Sequence, residues 1–321
     1  MIAASPLMQI VLHYAAGAGF TTRLSELASQ GLAVSVCPIP DRSRFDALMA
    51  DAEVLWHLIE PVTAATLAAA PRLRLIQKIG VGVNTIDLAA ARRHGVAVCN
   101  MPGTNTQAVA EMTLLLMLGA LRMVAHLDSS TRAGGGWALP PALQDRFGEI
   151  HGRTVGLVGY GAVPSCLAPM LQAMGARVLF TSRSPKPGAV GEPRSLRELL
   201  AESDIVSLHL PLTPDTERVI DADAITGMKP GAILVNTARG GLVDEPALVA
   251  ALRSGRIGAA GLDVFSTEPA PATNPLFELD NVVVSPHLAW LTRETLERSL
   301  VVAVENCRRL AAGAELLHRV V

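Results

Sequence analysis

Thr154-Val155-Gly156-Leu157-Val158-Gly159-Tyr160-Gly161-Ala162-Val163-Pro164 is the stretch on which the fold turns. A short run, mostly apolar and β-branched, ends in a pair of glycines, and a helical pattern follows from Ser165 to Met174. A strand that passes through a glycine turn into a helix is the opening unit of a parallel sheet. It is also the setting in which a dinucleotide pyrophosphate is held. Gly159 permits the tight turn and Gly161 allows close backbone approach. Ala162 and Val163 lead into the helix, whose N-terminus offers N–H groups and the positive end of its dipole. Pro164 stands where the pattern has Gly or Ala. In a first helical turn it loses little, because its missing N–H would have no partner there, but it removes one phosphate donor. A purely structural turn in an α/β sheet has the same form.

Outward from this stretch, short apolar runs alternate with helical patterns. Downstream lie Arg177–Phe180, Ile205–Leu208, Ala232–Val235, Ala259–Leu262 and Val282–Val284. Upstream lie Gln9–His13, Ala33–Cys37, Glu53–Trp56, Leu73–Gln77 and Val96–Cys99, with Ala/Leu-rich segments such as Val62–Ala70 and Ile86–His94 between them. This rhythm predicts α/β architecture with parallel sheets covered on both faces. It breaks at Pro102-Gly103, where a long helix from Thr106 to Asp128 and a Gly/Pro-rich loop containing Trp137 are expected. At roughly 150 residues per domain, 321 residues predict two doubly wound parallel-sheet domains. The second is residues 103–286. The first is residues 1–102 joined by 287–321, since the last helix, Thr292 to Ala312, is long enough to cross back. Ligands are expected in a cleft between the two.

Composition removes several function classes. Half of the residues are apolar, 17% are charged and mean hydropathy is +0.36, so the chain builds cores. The apolar run Met112–Leu121 is bounded by Glu111 and Arg122 and falls short of the roughly 20 residues that span a bilayer, so no membrane segment is expected. With 27 basic and 29 acidic residues the net charge is −2, and aromatics make up 3%. No basic field or stacking platform for nucleic acid follows from that. No basic stretch precedes Ile10–Leu12, and Cys37, Cys99, Cys166 and Cys307 are scattered without a Cys-x-x-Cys pair. A cytoplasmic protein with reduced thiols is the expectation.

Three polar residues follow strands of the second series. Arg239 lies in Asn236-Thr237-Ala238-Arg239-Gly240-Gly241, Glu268 in Asp263-Val264-Phe265-Ser266-Thr267-Glu268-Pro269, and His287 in Ser285-Pro286-His287-Leu288-Ala289-Trp290. Taken singly, they read as a salt-bridge partner, a loop acid and a capping histidine. Strand ends on one side of a parallel sheet can converge, and together they suit proton transfer beside an anion.

These segments, with the glycine loop, Leu75–Asp87 and Asn105–Glu111, resemble the D-isomer-specific 2-hydroxyacid dehydrogenase family. The resemblance covers about Leu73 to Gly313, and within the family it is to the glyoxylate/hydroxypyruvate reductase and glycerate dehydrogenase type. It implies a Rossmann-like cofactor domain, a flavodoxin-like substrate domain, and hydride transfer between a nicotinamide cofactor and a small 2-oxo or 2-hydroxy acid. His287 is then the acid/base, Glu268 its partner, and Arg239 the holder of carboxylate and carbonyl. The backbone of Val81 and Gly82 would take the other side of the carboxylate. Asp263 would orient the nicotinamide carboxamide, Thr237 and Ala238 would line its ring, and Leu210 and Pro211 would border the adenine. Trp290 either walls the substrate pocket or packs the closing helix.

After the second strand of the series comes Ser182-Arg183-Ser184, with no acid to hold a ribose 2′-hydroxyl. Hydroxyls around an arginine suit a 2′-phosphate, which predicts NADP preferred and NAD possible. No histidine has a partner at metal-ligand spacing, so no metal is expected. The resemblance also implies a homodimer through Ala110–Val124 and the Trp137 loop, although a core helix would share that pattern. A cofactor-sensing scaffold without turnover is the alternative function.

Overall fold

The computed structural model describes residues 7–137 and 140–321. Contacts divide the chain into Met1–Asn105 with Thr292–Val321, and Thr106–Leu291. The divisions fall at 105/106 and 291/292 rather than at 102/103 and 286/287. Hydrogen bonding explains both shifts. The Thr104 carbonyl accepts from Arg298 Nε at 2.7 Å, which keeps that segment with the C-terminal helix. The Asp263 carboxylate holds the backbone N–H groups of Leu288 and Ala289, both at 2.9 Å, which keeps His287 and its neighbours with the central unit.

In the first unit the chain runs β1 (Met8–His13), α1 (Ala18–Ser25), β2 (Leu32–Cys37), α2 (Arg42–Met49), β3 (Val54–His57), α3 (Ala64–Ala68), β4 (Leu75–Lys78), α4 (Leu88–Arg93) and β5 (Ala97–Cys99). The sheet is parallel in the order β2-β1-β3-β4-β5. Val11, Leu55, Ile76 and Val98 pack one face onto Phe45 and Met49 of α2, Leu67 of α3, and Ala90 and Ala91 of α4. Side chains alternate across a strand, so Gln77, next to Ile76, points the other way. There its Oε1 accepts from Asn306 Nδ2 at 2.6 Å, with both residues fully buried. The returning C-terminal segment also pairs with β5: Val320 N–H donates to the Val98 carbonyl at 2.7 Å.

The second unit runs α5 (Thr106–Leu121), α6 (Val124–Arg132), β6 (Thr154–Val158), α7 (Ala162–Ala173), β7 (Arg177–Phe180), β8 (Glu192–Pro193), α8 (Leu196–Glu202), β9 (Ile205–Leu208), α9 (Ala222–Gly227), β10 (Ala232–Asn236), α10 (Glu245–Ser254), β11 (Ile257–Leu262) and β12 (Val282–Val284). The final helix, α11 (Arg293–Ala312), belongs to the first unit. The parallel sheet has the order β12-β11-β10-β9-β6-β7-β8. Chain direction across the sheet reverses between β6 and β9, and such a switch point opens a crevice at the carboxyl ends of those strands.

Two expectations change here. The helix from Thr106 to Asp128 is two helices, bent by 64°, with Met123 between them in the left-handed region at φ 51°. Ala110, Leu116, Met117, Ala120 and Leu121 of α5 are buried in the core of its own unit, and Leu116 lies against Gly261, where a Cβ would come within 2.9 Å of it. The helix after the glycine turn begins at Ala162, not Ser165, which makes Pro164 its third residue. Among the described residues, no single helix is long and apolar enough to cross a membrane.

Candidate active site

The turn after β6 closes the innermost end of the crevice. Gly159 sits at φ 96°, and its N–H donates to Thr181 Oγ1, just past β7, at 2.8 Å. A Cβ at Gly159 would lie 2.9 Å from the His209 carbonyl oxygen, so the residue after β9 packs directly on this glycine. Tyr160 between the glycines is buried, its hydroxyl bonded to both the N–H and the carbonyl of Val190. Gly161 is the N-cap of α7, and nothing lies within 4 Å of where its Cβ would be. Pro164 falls in the first turn, where N–H groups have no intrahelical acceptor, so unlike Pro169 in the helix interior it costs α7 no hydrogen bond, and the N–H groups of Ala162 and Val163 remain at the helix start. Ser182, Arg183 and Ser184 form an exposed loop past β7, where Ser182 Oγ donates to the Ser184 carbonyl at 2.6 Å. Leu210 and Pro211 follow β9, Leu210 partly buried and Pro211 exposed.

The next strand ends carry the reactive groups. At the end of β10, Asn236 is buried and closes a turn from both sides: its Oδ1 accepts from Ala238 N–H at 3.0 Å and its Nδ2 donates to the Arg239 carbonyl at 2.8 Å. That turn presents Thr237, Ala238 and Arg239 in sequence. Burial lowers the Arg239 guanidinium from its ordinary range and the Glu268 charge opposes this, which places the two side chains within electrostatic reach. Glycine at 240 is required because a Cβ would overlap the Phe265 backbone at 1.9 Å.

Beyond β11, Glu268 accepts the Phe265 N–H on Oε1 at 3.0 Å and faces His287 Nδ1 with Oε2 at 2.7 Å. Burial would raise this carboxyl, but the hydrogen bond and charge of His287, the Phe265 N–H and the Arg239 charge outweigh it and hold it below the usual range. An ionised carboxylate only accepts, so His287 Nδ1 carries the hydrogen and Nε2 is the ring atom free to exchange a proton. Glu245 braces the same loop: its two oxygens accept from Ser266 N–H at 2.8 Å and Asn274 Nδ2 at 2.9 Å.

Arg239, Glu268, His287, Asp263, Thr237 and Ala238 thus gather at the carboxyl ends of β10, β11 and β12 in one unit. Trp290 is in the same unit, its indole Nε1 donating to the His287 carbonyl at 3.1 Å, a contact that steadies the His287 turn. Asp263 is fully buried, its Oδ1 taking the Ser285 hydroxyl and Leu288 N–H and its Oδ2 taking Ala289 N–H. Val81 and Gly82 lie in the first unit, in the loop after β4, where the Val81 carbonyl accepts from Asn100 Nδ2 at 2.9 Å. Among the described residues, no group of three or more His, Cys, Asp or Glu side chains could hold a metal. Thr113, Thr181, Asn236, Glu245 and Ser285 carry no recognisable spacing, and only the coordinates show what they hold.

A doubly wound sheet with a glycine turn at its switch point is the mark of a dinucleotide-binding α/β protein. Residues 114–289, more than half of the chain, match the D-isomer specific 2-hydroxyacid dehydrogenase, NAD binding domain. Over 281 residues, 85% of the chain, it is 42% identical to the D-3-phosphoglycerate dehydrogenase of Mycobacterium leprae, but it spans only 52% of that protein's length. It is 42% identical over 273 residues to the glyoxylate reductase of Aeropyrum pernix, covering 82% of this chain and 81% of that one. The solved structure of the TT0316 protein from Thermus thermophilus superposes with a TM-score of 0.88 at 38% identity, covering 98% of this chain and 100% of that one. The chain belongs to the D-isomer specific 2-hydroxyacid dehydrogenase family and carries its NAD-binding domain.

Proposed function

We propose that the protein reduces a small 2-oxo acid of the glyoxylate/hydroxypyruvate class to the D-2-hydroxy acid, with NADPH preferred over NADH. The observation that carries this reading is the 2.7 Å contact of His287 Nδ1 with the ionised Glu268, in a cluster that also holds the Arg239 guanidinium. When bound, the dihydronicotinamide supplies the hydride. His287 gives its Nε2 proton to the carbonyl oxygen of the substrate, and Glu268 stabilises the imidazolium before that transfer. Arg239 binds the carboxylate through its planar fork and polarises the carbonyl. Support for the substrate class comes from the glyoxylate reductase relative, which matches this chain over most of both lengths.

The NADPH preference rests on Ser182, Arg183 and Ser184, an exposed loop past β7 without a carboxylate. A homodimer is part of the proposal. Leu115 and Val124, 59% and 53% exposed, and Trp137, 95% exposed, supply apolar surface on the second unit for it.

Rates of NADPH and NADH oxidation with a panel of 2-oxo acids, alongside direct cofactor binding, test the reading. Turnover of glyoxylate or hydroxypyruvate with higher kcat/KM for NADPH is expected, and Arg183→Ala should narrow the cofactor ratio by about tenfold, the scale of one charge-assisted contact. Tight cofactor binding with no turnover of any 2-oxo acid would leave a sensing scaffold instead. Equal or better efficiency with NADH would remove the cofactor preference.

A further inference from the structure

We infer that Thr113, on α5 and 124 residues before Thr237 in the chain, is a positioning residue for the nicotinamide carboxamide, acting through that threonine. Thr113 is fully buried and Thr237 is 9% exposed, and their hydroxyl oxygens lie 2.8 Å apart. Thr113 Oγ1 also lies 2.7 Å from the carbonyl oxygen of Val109, one turn back in the same helix. A carbonyl oxygen has no hydrogen to give, so at that distance the single Thr113 hydroxyl hydrogen points to Val109. The contact between the two threonines is therefore filled by the hydrogen of Thr237.

The direction of this chain of hydrogen bonds is then fixed: Thr237 to Thr113, and Thr113 to Val109. Its consequence is that Thr237 Oγ1, at the carboxyl end of β10, presents lone pairs only. On the neighbouring strand end, the Asp263 carboxyl group likewise accepts, from Ser285 and Leu288 on Oδ1 and from Ala289 N–H on Oδ2, with one place left on Oδ2. The Asp263 N–H donates to the Asn236 carbonyl at 3.0 Å, which fixes the two strand ends in register. Two acceptors on neighbouring strand ends suit an amino group. In an NAD-binding domain the group of that chemistry on the reactive ring is the carboxamide NH2. Without Thr113, the Thr237 hydroxyl could rotate and offer its hydrogen, which would meet the amide carbonyl and favour a ring turned about its amide bond.

This inference rests on the cofactor part of the proposed function and not on its substrate. Its test is binding rather than turnover: fluorescence titration with NADPH and with the reduced acetylpyridine analogue, whose methyl replaces the amide NH2. The wild-type protein should bind NADPH about tenfold more tightly than the analogue, the scale of one or two hydrogen bonds. Thr113→Val, which keeps the shape and removes the hydroxyl, should lose most of that discrimination by weakening NADPH while leaving the analogue unchanged. Thr113→Ser should restore it. Equal weakening of both ligands by Thr113→Val, or no change in either, would overturn the inference. If Thr113→Val does not fold, Thr237→Val reads the same discrimination with α5 intact, and undiminished preference for NADPH in that variant would overturn it as well. Failure of the wild-type protein to bind any reduced nicotinamide would overturn the functional reading and this inference together, whereas binding blind to the amide group overturns the inference alone.

Discussion

Asp263 forms the floor beneath His287. The His287 N–H donates to the Asp263 carbonyl at 2.7 Å, while the Asp263 carboxylate gathers Ser285 Oγ, Leu288 N–H and Ala289 N–H from either side of the histidine. His287 itself stands at φ 56°, a left-handed conformation that a non-glycine residue keeps only where its surroundings impose it. Burial raises the Asp263 carboxyl above its usual range, against the pull of Ser285, of the Ala289 and Leu288 N–H groups, and of the His287 charge. The cost of a buried carboxyl group is thus offset by the order it gives the His287 turn.

Asp263→Ala should therefore act on stability and catalysis together. Three donors lose their acceptor, at about 1–3 kcal/mol for each one left buried and unsatisfied, the buried Ala289 N–H foremost. A lower melting temperature is expected, with kcat reduced well beyond what the loss of folded protein explains. Asp263→Asn keeps one acceptor oxygen and should recover part of the stability. A variant that melts lower but turns over normally would show that the histidine turn holds itself.

The 2.7 Å contact between Glu268 and His287 predicts that the two act on turnover together. His287→Ala should lower kcat by roughly two to four decades, the usual contribution of a placed acid/base. Glu268→Gln keeps a hydrogen-bond acceptor for Nδ1 but removes the charge that favours the imidazolium. For reduction, kcat should then fall by about tenfold or more while the affinity for the reduced cofactor stays unchanged. Unchanged kcat would separate Glu268 from the proton transfer.

The two glycines of the turn should fail in different ways. Gly159 lies at φ 96° with the His209 carbonyl 2.9 Å from where a Cβ would stand, so Gly159→Ala should cost roughly 1–3 kcal/mol of stability as well as cofactor affinity. Gly161 has ordinary negative φ, and no atom lies within 4 Å of its Cβ position. Gly161→Ala should fold with an unchanged melting temperature and still bind NADPH at least about tenfold more weakly, because the new methyl occupies only space reserved for the pyrophosphate. Thermal melting paired with cofactor titration checks both. If Gly161→Ala kept full affinity, the turn would be structural.

What the sequence made legible follows from the range over which each signal acts. Strands such as Thr154–Val158 declare themselves through local apolar, β-branched runs, and Arg239, Glu268 and His287 through their fixed neighbours. Long-range hydrogen bonds leave no such trace. Thr113 reads as one more residue of an apolar helix, and its partnership with Thr237 exists only because α5 lies across β10 and β11. Glu245 reads as a helix-start acid, yet its two oxygens hold the Glu268 loop. The break between α5 and α6 was hidden for a different reason: Met123 is an ordinary helix former, and nothing in its type announces φ 51°. The unit boundaries moved for the same reason as the threonine pair, since Arg298 and Asp263 set them from far along the chain.

Acid stability gives the last prediction. His57 is fully buried and its imidazole is lowered to about 3, first by burial and then by the Lys78 charge, with the Glu60 carbonyl opposing. His209 is lowered to about 3 by burial, and His13 is lowered by burial and by Arg42. In the unfolded chain these rings protonate near pH ~6.5. As pH falls below that value the unfolded state takes up protons that the folded state resists, for His57 and His209 until near pH 3, so the stability these residues contribute is complete above ~6.5 and is lost progressively as the pH falls. The upper part of the window, above the usual carboxylate range, isolates the histidines. There each such proton should give a slope of about 1.4 kcal/mol per pH unit. Urea unfolding between pH ~4.5 and ~7.5 should show the midpoint falling with acidity by more than one proton's worth, since His13 and His57 lie in the first unit and His209 in the second. His57→Leu should flatten the curve in the first unit while leaving the second unchanged. A midpoint independent of pH over this range would mean that the buried imidazoles find a proton partner in the folded state.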